Sequence, residues 1–328
     1  MILALALAAA TPLAAKVDAV AAKAGLAGVV LVARGGKVLV EKGYGTVRPD
    51  GGPRHNPKAQ WRLASITKQV TAVAVMRMVA RGDLALDGPA TDVPALRGVT
   101  VRMMLTHHSG LADPDDTPAG EGGMPSFYQA AGQNIGYCLS KPGAPNAEFR
   151  YNNCDYLLLG ERLEAGEGAE GARDNALWPG HFARPWEMGV PGFVHGKPEP
   201  RVNLATFGTA GGLIGTLRDV FRFDRALMTG ALLPPAARAE LWKPEGGRSY
   251  QALGQWVFPG QLKGCAAPKR IVQRDGEIGG VQTRNYILPD DDLVVVVFTN
   301  RSAEDFSFGE VWQQSGFAYD LLSAAACG

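Results

Sequence analysis

The stretch Ile66–Arg81 constrains this chain more than any other. It contains no Gly or Pro, and Gly82 follows it as a C-terminal stop. Past the first turn, Val70, Val73, Ala74, Val75, Met76, Met78 and Val79 cover nearly every face. A helix that is apolar all round has to be enclosed on every side. The pattern therefore predicts a central, buried helix with the rest of the fold built around it.

The segments at the two chain ends supply the partners. Val29–Ala33 and Val38–Lys42 are β-rich runs joined by Arg34-Gly35-Gly36-Lys37, which predicts a hairpin. Tyr286-Ile287-Leu288 and Leu293–Phe298 flank the turn Pro289–Asp292 and predict another. Between them, Asp83 to Asn203 is rich in Pro and Gly, with short helical pieces such as Asp155–Leu163. Thr216-Leu217-Arg218-Asp219 has the form of a capping box opening a helix through about Met228. A last helix is expected over about Phe308–Ser323. The expectation is a two-lobed α/β protein: an antiparallel sheet assembled from both chain ends with flanking helices, plus an inserted, mainly helical lobe over roughly residues 83–203.

Composition removes several function classes. Of 328 residues, 46% are hydrophobic and 20% charged, which fits a chain with a real core. Thirty-three basic residues balance thirty-two acidic ones, and no basic run is interleaved with aromatics, so nucleic acid is not an expected partner. Residues 1–15 are apolar and uncharged and end in Leu-Ala-Ala before Lys16. They are too short to span a bilayer and read as a signal peptide, although missing basic residues leave an ordinary N-terminal helix as the alternative. The expected mature domain is 16–328, periplasmic or secreted, with no stable membrane anchor.

Cys138, Cys154, Cys265 and Cys327 allow two disulfides in three pairings, or buried free thiols. Export makes Cys138–Cys154 and Cys265–Cys327 the pairs to test first. No C-x-x-C or H-E-x-x-H spacing occurs, so no metal or other cofactor is expected.

Chemistry enters at the start of the buried helix, in Ser65-Ile66-Thr67-Lys68. Three residues along a helix advance about 4.5 Å and leave the side chains on neighbouring faces, so hydroxyl and amine can meet. A hydroxyl at a helix N-terminus also faces unpaired N–H groups that favour developing negative charge. A lysine near its reference pKa of about 10.4 cannot accept a proton at neutral pH. Burial or a second cation has to lower it. The plain alternative is that Ser65 is only a helix N-cap.

The wider pattern decides between these. Trp61-Arg62-Leu63-Ala64-Ser65-Ile66-Thr67-Lys68-Gln69-Val70-Thr71-Ala72 closely resembles the active-site block of class C β-lactamases, D-Ala-D-Ala carboxypeptidases and related esterases. The same order continues with Leu105-Thr106-His107-His108-Ser109-Gly110-Leu111, Pro142-Gly143, Phe149-Arg150-Tyr151-Asn152-Asn153 and Ala210-Gly211-Gly212-Leu213. The resemblance covers nearly the whole mature chain. It implies a serine hydrolase that acts on a small-molecule or peptide substrate through an acyl-enzyme on Ser65.

That resemblance also distributes roles. Tyr151 and Lys68 would share one proton and act as the base. Asn153 would contact Lys68 and the substrate amide, with helix capping as its alternative. His107, His108 and Ser109 would support the cleft structurally. The family's Lys-Thr-Gly or His-x-Gly strand is best matched by Arg274-Asp275-Gly276-Glu277, with Arg274 in place of Lys or His. Arg274 could bind a carboxylate through two N–H groups but cannot relay protons near neutral pH. Gly276 would let substrate approach the strand, and the N–H groups of Ser65 and Glu277 would form an oxyanion hole.

Arg274 favours an esterase or D-amino-acid peptidase over an efficient β-lactamase or a penicillin-binding DD-carboxypeptidase. A catalytically silent domain that binds peptidoglycan-like ligands is the alternative of a different kind. It has no physical need for Ser65, Lys68 and Tyr151 together.

Overall fold

Seven antiparallel strands form the main sheet of the structure, a computed structural model describing residues 12–90, 93–171, 177–246 and 249–328. In chain order they are β1 (Gly28–Arg34), β2 (Lys37–Tyr44), β3 (Gln251–Ala252), β4 (Gln255–Gly260), β5 (Lys269–Ile278), β6 (Val281–Leu288) and β7 (Leu293–Thr299). Their spatial order is β3-β4-β5-β6-β7-β1-β2. Both predicted hairpins are present, and β7 pairs with β1, so the two chain ends meet inside the sheet, one strand in from its β2 edge.

β7 is buried along its whole length because both faces are covered, which explains its unbroken apolar run. Val294, Val296 and Phe298 face a core shared with α2 (Ile66–Arg81), the predicted central helix, which Gly82 ends in a left-handed conformation. Val295 and Val297 face a second core with α1 (Leu13–Ala24) and the C-terminal helix Phe317–Cys327. The helix α3 (Asn153–Gly171) lies in the inserted region and α4 (Leu217–Met228) covers the sheet beside β7. α4 opens with the predicted capping box: Thr216 Oγ1 accepts the Asp219 N–H, and Asp219 Oδ2 accepts the Thr216 N–H.

Some boundaries differ from expectation. α3 begins two residues earlier than Asp155 and runs well past Leu163. The last helix, α5, is Phe317–Cys327 and does not start at Phe308. Gly309 and Gly316 both have positive φ, and a Cβ on either would sit 3.1 Å from the other's Cα. That close backbone crossing turns the chain before the helix can start. Of the expected signal peptide, residues 1–11 lie outside the described residues, and Leu13–Ala15 form the first turn of α1. Disulfides join Cys138 to Cys154 and Cys265 to Cys327, with Cα–Cα distances of 5.3 and 5.1 Å. Among the described residues no helix is long and apolar enough to cross a membrane.

Candidate active site

A small sheet fixes the start of α2. Trp61-Arg62 pairs with Leu213–Gly215, and the Leu63 N–H donates to the Leu213 carbonyl at 2.8 Å. Ala64 then takes a left-handed φ of 49° while fully buried, and the chain turns into α2 at Ser65. Ser65 occupies the N-cap position, yet its side chain makes no capping hydrogen bond. Its hydroxyl is turned elsewhere: Oγ lies 2.6 Å from Tyr151 OH and 3.2 Å from Lys68 Nζ.

Lys68 is fully buried, with Nζ donating to Asn153 Oδ1 at 2.6 Å and to the Ala210 carbonyl at 2.7 Å. Those two contacts need two N–H donors in any protonation state. The third position of the amine points at Ser65 Oγ, carrying a proton in the ammonium and a lone pair in the neutral amine. Burial lowers the pKa of Lys68, Tyr151 pulls it back up, and the Arg274 charge lowers it again, for a net downward shift. For Tyr151, burial opposes the phenolate, but Lys68 and Arg274 together outweigh it and the phenol is shifted down. Lys68 and Tyr151 are thus both shifted downward as a coupled pair.

Arg274 is 1% exposed, not a solvated strand charge. Its Nε donates to the Ser65 carbonyl at 2.8 Å and its Nη2 to Tyr151 OH at 2.9 Å. Two of its donors are thus engaged inside the site while Nη1 has no hydrogen-bond partner among the described residues, and the guanidinium carbon lies 4.9 Å from the Trp256 ring centre.

Gly276 also has a packing task. A Cβ there would lie 2.5 Å from the Leu63 carbonyl and 2.9 Å from the Ser65 nitrogen, so glycine lets β5 lie against the start of α2. Ile278 and Val281 close a two-residue Gly279-Gly280 turn and pair across it, as Glu277 does with Gln282. Alternation of the ladder then points the Glu277 backbone away from β6, on the side that β4 vacates after Gln255. The Glu277 side chain is exposed.

The supports are equally specific. Asn152, not Asn153, caps α3, since its Oδ1 accepts the Asp155 N–H at 2.9 Å. That leaves Asn153 free to donate from Nδ2 to Tyr128 OH at 2.6 Å, and Tyr128 donates to Asp115 Oδ1 at 2.7 Å. Tyr128 also stacks on Phe207 at 3.8 Å. His107 packs its ring 4.5 Å from that of Tyr151, and its carbonyl accepts the Arg150 N–H at 3.0 Å. Burial, then the charges of Lys68 and Arg274, hold His107 well below its usual pKa, so it stays neutral behind the phenol. Sequence reasoning missed Tyr128, Trp256 and the Ala210 carbonyl. The first two are isolated aromatics without a motif, and the third acts through backbone.

The family model described as Beta-lactamase matches residues 13–318. The chain belongs to the β-lactamase family. Membership makes it a serine hydrolase, with the fold expected of that family. Esterase EstB of Burkholderia gladioli is 42% identical to this β-lactamase-family chain over 93 residues, 25% of this chain and 24% of the relative. The D-alanyl-D-alanine-carboxypeptidase/endopeptidase AmpH of Escherichia coli (strain K12) is 24% identical over 316 residues, 85% of this chain and 80% of the relative. The solved D-amino acid amidase from Ochrobactrum anthropi SV3 complexed with L-phenylalanine superposes with a TM-score of 0.75 at 19% identity, covering 96% of this chain and 98% of that one. At that identity the likeness is one of fold alone.

Proposed function

We propose that this protein forms an acyl-enzyme on Ser65 and hydrolyses an ester or amide. The observation that carries the reading is the 2.6 Å approach of Ser65 Oγ to a phenol oxygen already held by Arg274. Ser65 Oγ attacks the carbonyl carbon, and its proton passes to the Tyr151–Lys68 pair. The carbonyl oxygen becomes an oxyanion against the N–H groups of Ser65 and Glu277, each donor worth about 2.7–4 kcal/mol. Collapse breaks the ester or amide bond, and the leaving oxygen or nitrogen takes the proton back from the pair. Water then attacks the acyl-enzyme and gives a proton to the pair, the acyl–Oγ bond breaks, and Ser65 Oγ takes that proton back as the acid leaves. Asn153 holds Lys68 and offers a contact for the substrate.

The favoured substrates are esters and D-amino-acid peptides. Arg274 is buried and commits Nε and Nη2 to Ser65 and Tyr151, so the carboxylate that β-lactams carry would have to reach the unpartnered Nη1 inside the site. The esterase, carboxypeptidase and amidase names among the relatives and fold neighbours support the same range. We place the hydrolase domain at 16–328, in the periplasm or outside the cell, where two disulfides persist.

The test is intact-protein mass over time after adding penicillin, an aryl ester or a D-amino-acid amide, with Ser65→Ala as control. An acyl adduct on the wild type alone, with ester or amide turnover, is the expected result. A persistent penicilloyl adduct marks a penicillin-binding enzyme, and a fleeting one a β-lactamase. Binding without adduct or turnover, unchanged in Ser65→Ala, overturns the acyl-enzyme in favour of a silent binding domain.

A further inference from the structure

Among the described residues, six large hydrophobic side chains stand well exposed, and three of them share one cleft: Phe149, Tyr250 and Trp312. Trp256 and Phe258 complete its wall around about 370 Å³. The rings contact one another, with Phe258 5.8 Å from Tyr250 and 5.7 Å from Trp312. Exposed aromatics gathered in a concavity are costly to leave in water, and they mark a surface built to be covered.

The cleft adjoins the candidate active site on two sides. Trp256 is the ring that faces the Arg274 guanidinium. Phe149 lies two residues before Tyr151 and sets its ring edge-on to His107, at 5.9 Å. None of the lining side chains is charged. One lining residue, Gln251, is 1% exposed, and its buried Oε1 has no hydrogen-bond partner. A buried acceptor without a donor is costly, and a ligand carrying an N–H or O–H would relieve it.

We propose that this cleft is a substrate subsite for an uncharged, apolar group, an aromatic ring above all, on one side of the scissile bond. The proposal rests on the Ser65 acyl-transfer reading for its link to catalysis. It deepens that reading by naming the substrate class: neutral aryl or aralkyl esters and amides. An anionic group here would meet the indole of Trp256 in front of Arg274 and no other cation in the wall. The apolar group belongs to the acyl part or to the leaving alcohol or amine, and the two are separable by experiment.

The experiment uses the full chain and two matched ester pairs: benzyl against methyl acetate for the alcohol side, and methyl 3-phenylpropanoate against methyl acetate for the acyl side. Wild type, Trp312→Ala, Tyr250→Ala and Trp312→Phe are compared. Both positions are exposed, and a thermal melt checks that each variant folds. The wild type is expected to favour the ring-bearing ester in one pair by about tenfold or more in kcat/KM. Trp312→Ala and Tyr250→Ala should each erode that preference several-fold, mainly through KM, with Trp312→Phe restoring most of it. A Ser65 adduct together with a preference that no variant changes overturns the subsite and leaves the Ser65 chemistry standing. If Ser65 takes no label, indole fluorescence of Ser65→Ala titrated with benzyl acetate still decides. Saturable quenching lost in Trp312→Ala supports the cleft, and its absence overturns it. Micromolar self-association of the wild type that Trp312→Ala abolishes also overturns the proposal, by making the cleft an interface.

Discussion

Arg274 donates from Nη2 to the phenol oxygen of Tyr151 at 2.9 Å, and the same oxygen lies 2.6 Å from Ser65 Oγ. The guanidinium and the proposed nucleophile thus meet on one atom, which sets the arginine against the proposed base.

Replacing Arg274 by Gln should therefore move the pH profile. Its positive charge lowers the pKa of both Tyr151 and Lys68, so its loss raises both. In the proposed mechanism the working base is the form of the pair that has lost a proton. The acidic limb of kcat/KM should shift upward by about one unit or more, with activity at neutral pH falling and recovering partly at high pH. An acidic limb that stays where it was would disconnect Arg274 from the base.

Tyr128→Phe removes the hydroxyl that joins Asn153 to Asp115 but keeps the stacked ring. We expect kcat to fall about tenfold with KM little changed, since Lys68 loses the orientation of one acceptor. Stability should drop by about 1 kcal/mol, as for a buried hydrogen bond. Equal losses in Tyr128→Phe and Tyr128→Leu would point to packing alone.

Gly276→Ala places a methyl 2.5 Å from the Leu63 carbonyl and 2.9 Å from the Ser65 nitrogen, both backbone atoms. Neither can swing away, so β5 has to separate from α2 and carry the Glu277 N–H with it. Hydrolysis should fall by roughly 100-fold or more, the scale set by loss of one oxyanion donor. Activity within a few-fold of wild type would remove Glu277 from the oxyanion hole.

The two disulfides should differ in what they protect. Cys265–Cys327 spans 62 residues and Cys138–Cys154 spans 16, so chain entropy assigns about 4 and about 3 kcal/mol to them. Cys154 also follows Asn153 directly. Ser substitution of the Cys265–Cys327 pair should lower the denaturation midpoint more, and of the Cys138–Cys154 pair should lower kcat more. The reverse order would show that α3 keeps Asn153 in place without its bridge.

Sequence periodicity made α2 and both hairpins legible because local pattern and burial agree there, down to the Gly82 stop. It failed at α5, where a crossing of Gly309 over Gly316 that no helix rule encodes displaces the helix start. Ser65, Lys68 and Tyr151 were visible through their motifs. The roles of two other residues were not. Adjacent asparagines at 152 and 153 are equal as caps in the sequence, and only their side-chain directions separate them. Arg274 reads as a carboxylate binder in the sequence, and only the structure shows its bonds to Ser65 and Tyr151 and its burial beside Trp256.

The meeting of both chain ends in one sheet also sets when the enzyme can exist. Ser65 and Arg274 are 209 positions apart, and β7 pairs with β1 across nearly the whole chain. A ribosome-bound chain that has emerged only through α4 carries Ser65, Lys68 and Tyr151 but lacks the strand that charges and completes them. Contacts of such long range are made late and slowly. The nascent protein therefore holds its proposed nucleophile unarmed until the last third of the chain has been made and has closed onto the first.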